Sequence, residues 1–386
     1  MASGAFTVAK GREYLLKRCA FSGLDIFLRD GRKTISYYLC FWVPGLYMVF
    51  CVYSSYIHRS DHATVFQCLS VCGGAIQCSL KAHVAHIYRK DLRQVFEFVK
   101  RKYDEIQDDP EIEEHYCKKN RIHYILQRLL LYIINMNLVM FAIYPVLYFV
   151  IYGKRKFVVI CNIPGLNPYP EAGFPDYEIQ TAFHIGCLFV GTNELVCLDG
   201  LFGYFVLNGA AMADTLITHV RRMSSLLVKE SLTDIETTAF IRYLGQLHQE
   251  YINYVNRLDR IYNLMFLIQF ASFALSGSIG LYAARVSNWY AAYWLAMTAV
   301  FQLFFFCSMG SVIESKNFKI SEELYKAQWT SMNVRNRRML IFIMQRARTQ
   351  RGMTVGNISK LNLETGMDVY KILYSYSVLL MDAVKT

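Results

Sequence analysis

Seven apolar stretches alternate with charged ones along the chain, at roughly Ile35–Tyr56, Thr64–Ile87, Gln127–Tyr152, Thr181–Met212, Ile261–Ala284, Trp289–Ile313 and Leu363–Val384. A helix needs about 20 residues to cross roughly 30 Å of hydrocarbon, and the first six stretches are long enough. The last one is different, because Lys371, Ser375, Ser377 and Asp382 are costly against acyl chains. At helical spacing Asp368, Ile372, Ser375, Leu379, Asp382 and Thr386 fall on one polar stripe, with Ile372 and Leu379 as apolar rings. Tyr376, Leu380 and Ala383 lie on another face that can pack against protein. A span too polar for lipid is covered by protein or lines water. The stretch is therefore either a pore-lining helix or a buried helix of a bundle. The pattern predicts an all-α membrane protein with seven transmembrane helices.

Helical periodicity continues outside the spans. Thr233 and Glu236 form a capping box, and Leu244, Leu247, Tyr251, Tyr254, Leu258 and Ile261 then repeat at three and four residues. One helix is expected to run from outside the membrane into the fifth span. The fourth stretch has 32 residues, about 48 Å as a helix, and should project beyond the bilayer. Met339–Met344 is apolar and bracketed by Arg337, Arg338, Arg346 and Arg348, so packing must cover it. Gly11–Lys33 interleaves Tyr14, Leu15, Ala20, Phe21, Leu24 and Leu28 with basic residues, which predicts a re-entrant or interfacial helix. The acidic turn Tyr103–Glu114 around Pro110 separates two helices. The Pro- and Gly-rich stretch Gly153–Gln180 reads as a long loop and a candidate lid. These features divide the chain into an amphipathic segment (1–34), six spans with helical extensions (35–313), an anchor segment (314–362) and a seventh helix (363–386).

A net charge of +11 would suit nucleic acid, but its distribution argues otherwise. The N-terminal segment and the second, fourth and sixth loops together carry 32 Lys and Arg, against six on the other side. By the positive-inside rule the N-terminus is cytoplasmic and the C-terminus extracellular, with membrane lipid as the surroundings and no nucleic-acid partner. A G-protein-coupled receptor has the opposite orientation. The N-terminus shows no cleavable apolar leader, and Ala2 breaks a myristoylation pattern. Most of the 11 cysteines lie inside apolar spans and read as small hydrophobes; Cys161 alone sits well inside an outer loop. No P-loop, zincin helix or nucleophile elbow is present, so no enzyme and no cofactor are expected. His83 and His86 lack a further ligand nearby and read as an interfacial pair rather than a metal site. Glu194 and Asp199 are intramembrane carboxylates, functional by default or turned to neighbouring helices or water.

The C-terminal region carries a more specific signal. It runs from Leu324-Tyr325 and Trp329 through Arg337-Arg338, Met344-Gln345-Arg346, Thr354-Val355-Gly356 and Leu361-Asn362-Leu363 to Tyr370-Lys371 and Tyr374-Ser375-Tyr376-Ser377-Val378-Leu379-Leu380. Together with Asp199, Leu201 and Phe202, this series resembles the insect odorant receptors. The related gustatory receptors end with Tyr, five apolar residues and Gln-Phe, whereas Asp382 and Ala383 follow Tyr376 here. That departure favours the odorant branch and a ligand-tuning subunit over the obligate co-receptor.

The resemblance implies an odorant-gated, non-selective cation channel in the plasma membrane of a sensory dendrite, in a heterotetramer with odorant co-receptor subunits. It implies a pore lined by the last helix, with Ser375 on its stripe, Leu379 at a hydrophobic gate and Asp382 near the outer mouth. It also implies a small cavity in the outer half of the second, third, fourth and sixth spans. In this chain those positions are Leu69, Ser70, Gly73, Met140, Tyr144, Leu147, Tyr148, Phe183, His184, Cys187, Leu188, Tyr290, Tyr293 and Met297. Such a lining suits a small apolar or aromatic volatile with few hydrogen bonds. The alternative is a seven-span G-protein-coupled chemoreceptor. A transporter would predict inverted repeats, and none is visible.

Overall fold

The helix boundaries follow local capping chemistry. In the computed structural model, which describes residues 2–24, 34–105, 108–155, 161–167, 174–229, 231–287, 289 and 291–383, ten α-helices account for nearly all of the described chain. The first three are α1 (Ala2–Phe21), α2 (Ile35–Ile57) and α3 (His62–Ile87). Thr34 and Asp61 cap α2 and α3 by accepting from the backbone N–H groups of Tyr37 and Ala63. The acidic turn separates α4 (Arg89–Glu105) from α5 (Pro110–Tyr152), with Asp109 as N-cap and Pro110 in the first turn, where its missing N–H costs nothing. Gly153 closes α5 in the left-handed conformation. Next come α6 (Asp176–Val228) and α7 (Asp234–Ser287), the latter opened by the Thr233–Glu236 box. The chain ends with α8 (Ala291–Lys326), α9 (Val334–Arg348) and α10 (Leu363–Ala383).

Helix α6 is the axis of the bundle. Every side chain from Val196 to Ala213 is buried, and a helix apolar on all sides belongs in the middle. Gly203 and Gly209 admit the rings of Phe305 and Tyr254 where a Cβ would meet them at 3.0 and 2.9 Å. Helices α5, α7 and α8 surround it, while α3 lies along α7 and α2. Helices α6 and α7, of 53 and 54 residues, are each about 80 Å long. They far outrun a bilayer at the end of the bundle that carries the basic loops, here called the basic end. There the stripe Leu244, Tyr251, Tyr254, Leu258 and Ile261 is buried. Tyr251 donates to Asn317 at 2.7 Å and Tyr254 to the Phe205 carbonyl at 2.7 Å. Arg221 pairs with Glu323 at 2.6 Å, and Arg222 holds Asp109 and Glu111. The guanidinium hydrogen bonds lower the Asp109 carboxyl to about 2.

The amphipathic N-terminal segment forms a helix that packs on the bundle. It is helical from Ala2 to Phe21, and Val8, Leu15 and Cys19 are buried against α5 and α6. Leu28 lies outside the described residues. Met339–Met344 is only partly covered: Leu340 is fully buried in α9, and Phe342 on the opposite face is 71% exposed.

Between α9 and α10 the chain makes a two-residue antiparallel hairpin, pairing Thr354 with Lys360 and Val355 with Ser359. Gly356 and Asn357 form its turn with φ of 58° and 59°, the left-handed pair that a tight hairpin requires. The hairpin is held on both sides. Asp259 of α7 accepts from the Thr354 N–H at 2.6 Å and from its hydroxyl at 2.9 Å. Lys360 and Asn362 reach Glu314 of α8. Gly310 lets the Leu361 carbonyl sit where a Cβ would lie 2.0 Å away.

Candidate functional site: a cavity beside the last helix

In the half of the bundle away from the basic end, α2, α3, α5, α6, α7 and α8 leave a cavity of about 160 Å³. Small residues create it. Gly73, Gly74, Ala75, Gly191, Gly277, Gly280, Ala292, Ala296 and Ala299 all line it. The same residues bring α3 and α7 close: a Cβ on Gly73 would lie 1.5 Å from Ser276 Oγ, and one on Gly280 would lie 2.6 Å from Ser70 Oγ. An apolar cavity of about 150 Å³ binds benzene, so one of this size accommodates a molecule with a single ring.

The floor of the cavity, toward the basic end, is polar. Gln77 of α3 donates to Gln269 of α7. Gln269 donates to Gln302 of α8 at 3.4 Å, and Gln302 to Asp199 Oδ2 of α6 at 2.9 Å. Lys81 closes the network on Asp199 Oδ1 at 2.9 Å, with both side chains at most 3% exposed. Its ammonium also sits 4.9 Å from the centre of the Phe306 ring. Four helices are thus joined by one chain of hydrogen bonds ending in a buried ion pair. Glu194, one turn and a half before Asp199, is fully buried and has no hydrogen-bond partner among the described residues. Asn137 of α5 donates to the Thr298 hydroxyl at 2.7 Å, and Thr298 in turn donates to the Trp294 carbonyl at 2.9 Å.

Of the residues expected at a cavity, Ser70, Gly73, Cys187 and Leu188 line it. His184 sits behind its wall, hydrogen-bonded at 2.8 Å to the hydroxyl of Tyr47, which does line it. Phe183 packs on Phe50 with ring centres 5.4 Å apart. Tyr144, Tyr148 and Tyr152 form a ladder along α5. Leu69, Met140, Leu147, Tyr293 and Met297 point away from the cavity onto the outer surface, 36–52% exposed. Tyr290 lies outside the described residues. Gln77, Asn137, Phe273, Thr298 and Gln302 also line the cavity and were not among the expected residues. Polar side chains inside apolar spans were the available signal for four of them. Lys81 was missed in the same way.

Helix α10 lies against this site. Leu373 meets Gly277 of the cavity wall, where a Cβ would be 2.7 Å away, and Tyr370 sits edge-on to Phe273, another wall residue, at 6.0 Å. Tyr370 also donates to the Val300 carbonyl at 2.8 Å. The packed face of α10 is therefore Gly366, Tyr370, Leu373 and Ser377. Tyr376, expected to pack, is 56% exposed, while Ile372, Ser375 and Leu379 form an uncovered stripe. The side chains of Leu380, Asp382 and Ala383, and residue Thr386, lie outside the described residues.

The fold has close counterparts. The olfactory receptor OR5 from Machilis hrabei superposes with a TM-score of 0.75 over 97% of this chain and 99% of that one, at 10% identity. The same receptor in complex with eugenol superposes at 0.72, with 11% identity and the same coverage. Odorant receptor 10 of Aedes albopictus is 23% identical over 246 residues, 62% of this chain and 63% of the relative. Odorant receptor Or2 of Anopheles gambiae is 26% identical over 137 residues, 34% of this chain and 36% of the relative. The chain thus spans less than two thirds of either relative in these alignments. The family model described as 7tm Odorant receptor matches residues 61–374, most of the sequence and five of the six long apolar helices. The chain is a multi-pass membrane protein and belongs to the 7tm odorant receptor family, a family of receptors and not of enzymes.

Proposed function

We propose that this chain is the ligand-tuning subunit of an odorant-gated, non-selective cation channel, assembled as a heterotetramer with odorant co-receptor subunits in the plasma membrane. The single observation that carries this is the contact between cavity and last helix. Phe273 and Gly277 line the cavity on one side and touch Tyr370 and Leu373 of α10 on the other. The opposite stripe of α10 is uncovered within the chain. Four such stripes facing one another would line a pore, with Leu379 as a ring that closes by dewetting, Ser375 below it and Asp382 attracting cations at the mouth. A volatile in the cavity opens the pore to the extent that it binds the open arrangement better than the closed one. The basic end, with 32 of the Lys and Arg, then lies in the cytoplasm together with the N-terminus, and the C-terminus lies outside.

The test is whole-cell current from this chain with and without an odorant co-receptor, in a non-native cell exposed to single-ring volatiles. Eugenol, bound by the Machilis receptor, is a rational first member. Fast cation current that requires both chains is expected. A G-protein-coupled chemoreceptor would instead give a slow response dependent on nucleotide, and a C-terminal tag that antibody cannot reach on intact cells.

A further inference from the structure

We infer that the cavity selects a small apolar molecule carrying one hydrogen-bond donor, such as an aromatic alcohol, over one that only accepts. The inference rests on the cavity being the odorant site, and it follows from the direction in which the floor's hydrogen bonds must run. An ionised carboxylate only accepts. Asp199, paired with Lys81 at 2.9 Å, therefore takes the N–H of Gln302. That turns the Gln302 oxygen toward Gln269, and the Gln269 oxygen toward Gln77. The ion pair thus sets the orientation of three amides in series, and the chain leaves the Gln77 oxygen uncommitted at the cavity.

Asn137 discriminates more sharply, since Gln77 also keeps an N–H. Thr298 spends its proton on the Trp294 carbonyl, so it can only accept from Asn137. Both N–H groups of Asn137 are accordingly used, one on Thr298 at 2.7 Å and one on the Ile134 carbonyl at 3.3 Å. Its Oδ1 is buried without a partner, on a residue that lines the cavity and is only 5% exposed. Of the other lining residues, Gln302 is committed to Asp199 and Gln269 and the Tyr47 hydroxyl to His184, and the remainder are apolar or small. A ligand hydroxyl satisfies this acceptor; an ether or carbonyl oxygen placed there meets a like dipole.

Benzyl alcohol and its isomer anisole separate the cases, because they share composition and size but only the first donates. Their dissociation constants would be measured on the purified full-length chain from the ligand dependence of its thermal unfolding, with ethylbenzene as the apolar reference. Benzyl alcohol should bind at least tenfold more tightly than anisole. Asn137→Leu should bring the two together by weakening the alcohol alone. Thr298→Val provides an independent variant with the opposite sign. It strips Asn137 of an acceptor, frees an N–H toward the cavity and should improve anisole. Equal binding of both isomers to the unmodified chain, as a retained water on Asn137 would produce, overturns the donor preference and leaves the odorant cavity standing. Binding of neither isomer overturns both. Because binding is read without current, a failure of channel activity in cells is a separate result.

Discussion

The basic-end half of α6–α8 and the last helix α10 are built to opposite rules. In the first, Phe202, Phe205, Tyr251 and Leu258 are fully buried, and charges pair across helices, as in Arg221–Glu323 and Lys316–Asp214. In the second, one face is packed and Ile372, Ser375 and Leu379 lie open. A core that fills its space resists displacement because any shift loses contacts on several sides. A helix held on one face can tilt while keeping most of what holds it. The cavity lies between the two, with a polar floor rooted in the packed half and a wall shared with α10.

The largest effect is expected where the packed half meets the cavity. Lys81→Met leaves Asp199 charged and buried without its partner, and should cost about 3–5 kcal/mol of stability. The double variant Lys81→Met, Asp199→Leu should recover much of that loss; thermal unfolding of both would show whether the pair or its packing matters. Next is Tyr251→Phe, which strands the Asn317 oxygen at the basic end and should cost about 1–3 kcal/mol. An unchanged unfolding midpoint would mean that water replaces the hydroxyl and that the anchor is looser than its burial indicates. On the open stripe, Leu379→Ala should change stability by less than about 0.5 kcal/mol yet produce leak or shifted gating in the proposed channel. A large stability loss with normal gating would reverse the contrast between the two regions.

The smallest effect concerns Asp109. Its folded carboxyl titrates at about 2 because of Arg222, below the unfolded value of about 4. The pair's contribution is therefore complete above about pH 4 and lost as pH falls through about 2. Because both side chains are about one third exposed, the pair is screened by solvent and should be worth less than about 1 kcal/mol. Asp109→Asn should flatten the acid limb of the stability profile in that window, and an unaltered limb would remove the pair from the account.

How much of this was legible depended on range in sequence. The Thr233–Glu236 box, the Asp109-Pro110 start and the Leu244–Ile261 stripe are decided within a few residues, and each could be read directly. Inward and outward faces of α5 and α8 are decided by distant neighbours. Met140 and Met297 face outward, and the polar side chains Asn137 and Gln302 in the same two spans are the local signal for the inward face. The partner of Lys81 is 118 residues away, and a lone lysine in an apolar span, counted with neither set of loops, was overlooked. The same holds for the hairpin: Thr354-Val355-Gly356 carried a family resemblance, but nothing local indicates that Asp259 holds it.

That hairpin determines how α10 can move. Thr354 is tied to α7, Lys360 and Asn362 are tied to α8, and the Leu363 N–H bonds Ser311 at 3.1 Å. The helix is clamped at its root and covered on one face only, which makes it a cantilever. Leu379 stands 16 residues beyond the clamp, a lever arm of about 24 Å, so a tilt of about 5° displaces it by about 2 Å. Under the proposed function, a ligand that moved the cavity wall slightly near Leu373 would thereby be geared to a larger stroke at the tip. The reach of the helix beyond its clamp, rather than the size of the ligand, sets the travel available there.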